Sequence, residues 1–241
     1  MKKNNKYVVI IPARSGSKGI KKKNIKDING HPLIAYTIKA ALESKEVSSV
    51  YVTTDNLKIA KISKKYGAKV IMRPAILAKD NSKIIGVLKH SIKYLSKESN
   101  INLENIVLLQ PTSPLRNKND LDKSIKKYEM SKSQMLFSSI EIDLCSWRKK
   151  GKKVRPLNFV SFFKRNMRQN SYKDIIENGS IYILNREFIL NNSSKSRFRI
   201  ESYPMKNYTL FEIDNIDEFN LIKAILKSNE SIFENLIKFR Q

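Results

Sequence analysis

The apolar run Tyr7–Ile11, YVVII, has no polar residue inside it. A strand with one wet face alternates apolar and polar side chains, so an unbroken run implies burial on both faces. Such a strand belongs in the middle of a parallel sheet covered by helices. The chain then repeats strand and helix signals. HPLIAYTIKAALES carries apolar residues at helical spacing, with Pro32 suited to a first turn. VSSVYVTTD reads as a second strand, and NLKIAKISKKYG as a helix closed by Gly67. AKVIMR is a third strand, NSKIIGVLKHSIKYLSKE a longer amphipathic helix and ENIVLLQ a further buried strand. NDLDKSIKKYEMS, capped by Asn119 or Asn117, is the next helix, and QMLFSSIEI the next strand. GSIYILN and YTLFEID read as later strands. NIDEFNLIKAILKS is a helix with Asn215 as cap, and SIFENLIKFR a final short helix.

Repeated β-α-β units with right-handed crossovers give an α/β fold, a mostly parallel sheet with helices on both faces. Ligands of such sheets gather beyond the C-terminal ends of the strands. The polar residues there are Arg14 to Lys23, Thr54 and Asp55, Arg73, and Gln110. From about 143 to 176 the periodicity fails, and this stretch reads as an excursion from the sheet. Its aromatics Trp147, Phe159, Phe162 and Phe163 need a burial partner, either the parent sheet or a second subunit. With no internal repeat and no separate linker, 1–241 reads as one domain bearing that excursion.

Hydrophobic residues make up 41% of the 241, enough for a core. The formal net charge of +25 suggests nucleic acid at first sight. The lysines are dispersed along the whole chain, however, and no specific nucleic-acid partner is expected. No apolar run approaches the roughly 20 residues of a membrane span, and MKKNNKYVVIIPAR reads as a first strand rather than a signal peptide. Cys145 is the single cysteine and His31 and His90 the only histidines, which excludes an internal disulfide and a zinc constellation and favours the cytoplasm.

IPARSGSKGIKKKN follows the first strand. It lacks the spacing of both G-x-G-x-x-G and the P-loop. Its glycines nevertheless allow backbone N–H groups to approach an anion, Ser15 and Ser17 donate hydrogen bonds, Arg14 offers a planar fork, and Lys18 and Lys23 are point charges. By these residues alone the loop is either a phosphate cradle or a solvated basic turn.

IPARSGSKGIKKKNI with GHPLIAYTIKAAL, VYVTTDNLKIAKISKKYGAKVIMRPAILAKDNS, VLLQPTSPLR, ENGSIYILN and FEIDNIDEF together resemble the blocks of the acylneuraminate cytidylyltransferases, over roughly residues 6 to 226. The resemblance implies a Rossmann-like nucleotidyltransferase fold with a dimerisation excursion. It also implies transfer of CMP from CTP to the anomeric hydroxyl of a nonulosonic acid, with loss of pyrophosphate and a need for Mg2+. By the same resemblance, Arg14 and Lys23 are the main cations on the CTP phosphates, Gly16 and Ser17 supply donors, and Asn24 braces the loop or touches the nucleotide. Lys21 and Lys22 are expected on the solvated face. Arg73 contacts the nucleotide near cytosine or ribose, with Ser82 and Asp80 beside it.

On the acceptor side the resemblance points to Gln110, Arg148 and Arg168, with Thr112 and Arg116 shaping the loop. Asp214 is the expected Mg2+ ligand, with Glu212 as second carboxylate; were 208–214 a strand, both would face one way. The chain departs from the family pattern with Glu212 where relatives commonly have Asp, with LCSW where they often have a His-His-Pro stretch, and with Ile176 where some carry an arginine. These departures cluster on the acceptor side. They leave open N-acetylneuraminic acid, legionaminic acid, or a different keto-sugar acid as the acceptor, although GSKGIKKKN fits the 3-deoxy-octulosonate branch poorly. A non-catalytic nucleotide- or nucleic-acid-binding protein of the same fold is disfavoured by the acidic pair and QPTSPLR. A homodimer is expected from the resemblance.

Overall fold

The computed structural model describes residues 7–98, 103–159, 174–191, 198–228 and 230–239. Its first half runs β1 (Tyr7–Pro12), the short pair β2 (Asp27–Ile28) and β3 (His31–Pro32), α1 (Leu33–Leu42), β4 (Ser49–Thr54), α2 (Leu57–Lys65), β5 (Lys69–Met72), α3 (Ile84–Glu98), β6 (Asn105–Leu109) and α4 (Asp120–Ser131). Then come β7 (Met135–Ile142), a hairpin of β8 (Trp147–Lys150) and β9 (Lys153–Pro156), β10 (Asp174–Asn185), α5 (Arg186–Asn191), β11 (Ile200–Pro204) and α6 (Ile216–Lys227). The main sheet has seven strands in the order β11-β7-β10-β6-β1-β4-β5. β10 is antiparallel to both its neighbours, and every other pairing is parallel.

The unbroken apolar run of β1 is explained by two cores. Val9 and Ile11 face Ile34 and Ile38 of α1, Ile59 of α2 and Ile125 of α4. Val8 and Ile10 face the other way, onto Leu88, Ile92 and Leu95 of α3 and Ile189 of α5. Successive strand side chains alternate faces, so burial on both sides demands apolar residues at every position. A third cluster joins Ile20 of the loop after β1 and Leu33 of α1 to Ile213 and Phe219 at the start of α6. That cluster brings the acidic segment 212–214 against the opening loop.

Several expectations need correction. Residues 208–214 are not a strand: Asn207–Leu210 form a 3-10 turn, and 211–213 are extended without a ladder partner. Ile213 points into the third core and its N–H donates to the Thr112 carbonyl at 2.8 Å. Among 231–239 the only helical turn is the 3-10 turn Ser231–Phe233, and Leu236 makes an isolated antiparallel bridge to Asn117. Asn119 precedes α4 with φ 66° and makes no side-chain cap. The edge strand β11 was not foreseen.

The excursion leaves the sheet as a ribbon. Residues 174–177 of β10 pair with β7 alone, then the register shifts before Tyr182. The β8–β9 hairpin is largely exposed, with Trp147 packed edge-on against Phe159 at 4.9 Å yet 45% exposed. Phe162, Phe163 and Arg168 lie outside the described residues. No helix among the described residues is long and apolar enough to cross a membrane.

Candidate active site

A cleft of about 370 Å³ opens at the C-terminal ends of β1 and β6. The loop after β1 forms one wall. Asn24, buried, donates its Nδ2 to the Arg14 carbonyl at 3.0 Å and fixes the loop's path. Ser15 donates from its N–H (2.9 Å) and hydroxyl (2.5 Å) to the two oxygens of Asp55, just past β4. Burial works to raise the Asp55 carboxyl, but the Ser15 hydrogen bonds and the Arg73 charge outweigh it and hold it below the usual range.

Arg14 and Lys18 face the opposite wall. Arg14 Nη1 lies 2.6 Å from Asp80 Oδ1, and Lys18 Nζ 3.1 Å from Asp80 Oδ2. Those bonds, Lys18 first and Arg14 next, keep the exposed Asp80 carboxyl below its ordinary value. Arg73 is deeper, only 7% exposed, with its Nε unpaired among the described residues. Burial lowers its pKa, the Asp55 charge works against that, and Arg14 adds to it. Beside it Leu77, Ile84 and Val87 give the cleft an apolar side. Ser82 also lines the cleft, while its hydroxyl donates to the Ile76 carbonyl at 2.8 Å and braces the turn.

The acidic segment closes the third side. A Cβ on Gly19 would stand 1.9 Å from the Asp214 carbonyl oxygen, so only glycine allows the two backbones this close. Lys23 Nζ donates to the Ile213 carbonyl (2.6 Å) and to Asp214 Oδ1 (3.1 Å). The Glu218 carboxylate accepts the N–H groups of Asp214 (2.6 Å) and Asn215 (3.1 Å), half of a capping box that starts α6.

Glu212 is half-buried behind this wall and does not line the cleft. Its carboxylate fills the space over Gly179, where a Cβ would meet Oε1 at 1.8 Å and φ is +64°. Burial and then the Asp214 charge raise its pKa, against the pull of Lys23 and Arg116. The strand alternation expected to align 212 with 214 is therefore absent, although the two charges do interact.

Gln110 and Thr112 complete the cleft at the end of β6. The loop beneath them is built on Arg116, 1% exposed. The structure thus gathers Arg14, Gly16 and Ser17 of the opening loop with Lys23 and Asn24, and sets Arg73, Ser82, Gln110 and Asp214 around the same space. It does not bring in Arg148, which sits on the exposed strand β8. Lys21 and Lys22 are exposed, as expected. Lys79 lines the cleft without having been singled out. A lysine between two other cleft residues, in a chain with 47 basic residues, carries no distinguishing signal.

A family model described as Cytidylyltransferase matches residues 8–239. The chain belongs to the cytidylyltransferase family. Among similar proteins, this cytidylyltransferase-family chain is 33% identical over 227 residues to the N-acylneuraminate cytidylyltransferase of Escherichia coli O18:K1:H7, covering 91% of this chain and 52% of the relative. It is 31% identical to post-translational flagellin modification protein B of Campylobacter coli, covering 90% and 93%. It is 36% identical over 139 residues to the pseudaminic acid cytidylyltransferase of Campylobacter jejuni (strain 81-176), covering 57% and 60%. The chain thus spans about half the length of the first of these relatives. A solved CMP:2-keto-3-deoxy-manno-octonic acid synthetase in complex with CTP shares the fold, with a TM-score of 0.68 at 17% identity over 92% of this chain and 98% of that one.

Proposed function

We propose that this chain transfers CMP from CTP to the anomeric hydroxyl of a nonulosonic acid and releases pyrophosphate. The observation that carries the proposal is the cleft itself: the cations Arg14, Lys18 and Lys23 of one loop line a space shared with Asp80 on the opposite wall and Asp214 beside the loop. The similar N-acylneuraminate and pseudaminic acid cytidylyltransferases support a cytidylyl donor and a sugar-acid acceptor. In the reaction the anomeric oxygen attacks the α-phosphorus. The bond to the bridging oxygen of the β-phosphate breaks, and the hydroxyl proton passes to solvent. Such transfer depends on position and charge stabilisation more than on covalent help.

Arg14 and Lys18, freed from Asp80, bind the β- and γ-phosphates, and Lys23 sits where the α-phosphate meets the acidic wall. Gly16 and Ser17 add donors, and Asn24 braces the loop. Arg73 and the apolar side of Leu77, Ile84 and Val87 suit the nucleoside. Gln110 offers both a donor and an acceptor to the sugar. Arg148 and Arg168 belong to this proposal only through the excursion, as cations for the acceptor carboxylate.

Asp214 offers an exposed carboxylate of the kind Mg2+ takes, although no group of three or more acidic, histidine or cysteine side chains gathers there among the described residues. Asp214 would hold the ion, with Glu212 behind it, and when bound it would neutralise phosphate charge. The working unit in this proposal is a cytoplasmic homodimer, supported by exposed apolar residues around the hairpin, Leu144, Trp147 and Val154, and by the lone Cys145.

The test is incubation with CTP, Mg2+ and a panel of N-acetylneuraminic, legionaminic and pseudaminic acids, with pyrophosphate as readout. Release with one acid well above the others is expected. No release with any of them overturns the proposal.

A further inference from the structure

Arg116 is a fully buried cation at a junction of three chain segments. Its Nη2 donates to the carbonyls of Gln110 (2.9 Å) and Ser180 (2.7 Å), and its Nη1 to Thr37 Oγ1 (3.1 Å). Gln110 directly follows β6 and lines the cleft. Ser180 lies in the register shift of β10, next to Gly179, on whose Cα side the Glu212 carboxylate rests. Thr37 belongs to α1. The Arg116 backbone is held in turn, its carbonyl accepting the Ile237 N–H at 2.9 Å.

A cation is an expensive way to fill a core. Burying it without partners is strongly unfavourable, and apolar residues of similar size pack as well or better. Here burial pulls the Arg116 pKa down to about 9, against the fields of Asp120 and Glu212, so it remains charged at neutral pH. What a guanidinium offers that an apolar side chain does not is a rigid planar fork that fixes several carbonyls in one geometry. Both carbonyls on Nη2 belong to segments that leave the regular sheet ladder at the site. Gln110 follows the last β6 residue, and Ser180 falls where β10 has lost its pairing with β7. The buried Ser180 carbonyl would otherwise lack a ladder partner, and the half-buried Gln110 carbonyl would keep only the Ser113 N–H at 3.4 Å.

We propose that Arg116 is a positioning residue that sets the acceptor side of the cleft, by locking Gln110 and the Gly179–Ser180 bend in one mutual geometry. The kinetic consequence rests on the transfer reaction proposed above; the structural consequence does not. The opening loop has anchors of its own, through Asn24 and Asp55, and its hydrogen-bonded link to the Arg116 loop runs through the Ile213 N–H on the Thr112 carbonyl, so the larger effect of Arg116 is expected on the acceptor side.

The test compares wild type with Arg116→Lys, which keeps the charge and loses the fork, and with Thr37→Val, which removes one bond at constant shape. The first readout is amide hydrogen exchange. Faster exchange confined to residues 110–113 and 178–182 in Arg116→Lys is expected. Unchanged exchange there, or a rise spread over the whole sheet, overturns the proposal. The second readout is steady-state kinetics with the acid that wild type turns over fastest. The KM for the acid should rise by about tenfold while the KM for CTP stays within about twofold, the size expected from losing a hydrogen bond to a charged group. Equal shifts in both KM values, or none, overturn it. If Arg116→Lys does not fold, Thr37→Val decides by the same signs with smaller shifts. If wild type turns over no acid, the transfer reaction fails and the exchange pattern alone decides on Arg116.

Discussion

Arg14 and Asp80 are joined across the cleft, Nη1 to Oδ1 at 2.6 Å, with Lys18 on the other carboxylate oxygen. If the cleft takes CTP as proposed, Asp80 holds both cations where phosphate oxygens would bind, and the triphosphate has to replace it. Asp80→Asn should therefore lower the KM for CTP by about threefold at low salt, the worth of exposed ion pairs, with the gain shrinking as salt rises. Pyrophosphate inhibition should tighten in the same proportion. A weaker KM in this variant would mean that Asp80 orders the loop more than it competes for it.

The contact of Gly19 with the Asp214 backbone sets the distance between loop and acidic wall. Gly19→Ala has to push the two apart, since neither clashing group is a flexible side-chain end. We expect kcat/KM to fall by about a hundredfold, typical of ångström-scale misplacement, with the circular dichroism of the fold retained. Activity within a few-fold of wild type would contradict the close approach.

Asp214→Asn keeps the shape of the wall and removes its charge. Turnover at saturating Mg2+ should drop by at least about a hundredfold, in line with the several kcal/mol of charge stabilisation a bound ion supplies. Near-normal turnover would overturn the proposal that Asp214 holds Mg2+.

Asn215→Ala breaks the capping box of α6, in which Asn215 Oδ1 accepts the N–H groups of Asp217 and Glu218. A loss of about 1 kcal/mol is expected, which in a chain of this size lowers Tm by roughly 2–4 °C. Thermal unfolding by calorimetry measures it.

Acid should release the opening loop before the core melts. Asp55 and Asp80 are both held below the ordinary carboxylate range in the folded chain. A depressed carboxylate contributes stability that is complete above its unfolded pKa and is lost as pH falls through the folded one. Loop anchoring should therefore be intact at neutral pH and fade below about pH 4. Amide exchange at residues 14–19, followed against that of β1, reads the difference.

The α/β order from β1 to α4 was legible because each element there is local and periodic. The apolar continuity of YVVII and NIVLL and the helical spacing of LIAYTIKAAL have one solution each. β11 was not legible, since IESYP is short, half-exposed and on the sheet edge. Residues 208–214 misled because Tyr208, Leu210, Phe211 and Ile213 give the run the aromatic and aliphatic composition of a strand. In fact Ile213 and Tyr208 pack into the cluster around α6, and the segment joins no sheet ladder among the described residues. The position of Asp80 opposite Arg14 depends on two loops 66 residues apart, which no local pattern encodes. Arg148 stood among many basic residues, and only the path of the hairpin separates it from the cleft.

β10 sits between β6 and β7 although it follows both in the chain. On the ribosome β6 is complete at Leu109, but its open edge finds its partner only once residues as far as Asn185 have emerged. For that interval of translation the nascent chain presents an unpaired apolar edge, the kind of surface on which polypeptides associate wrongly. Chains stalled or cut within the excursion should aggregate, whereas those that pass Asn185 can close the sheet. Slower synthesis of the excursion should therefore lower the yield of folded chain.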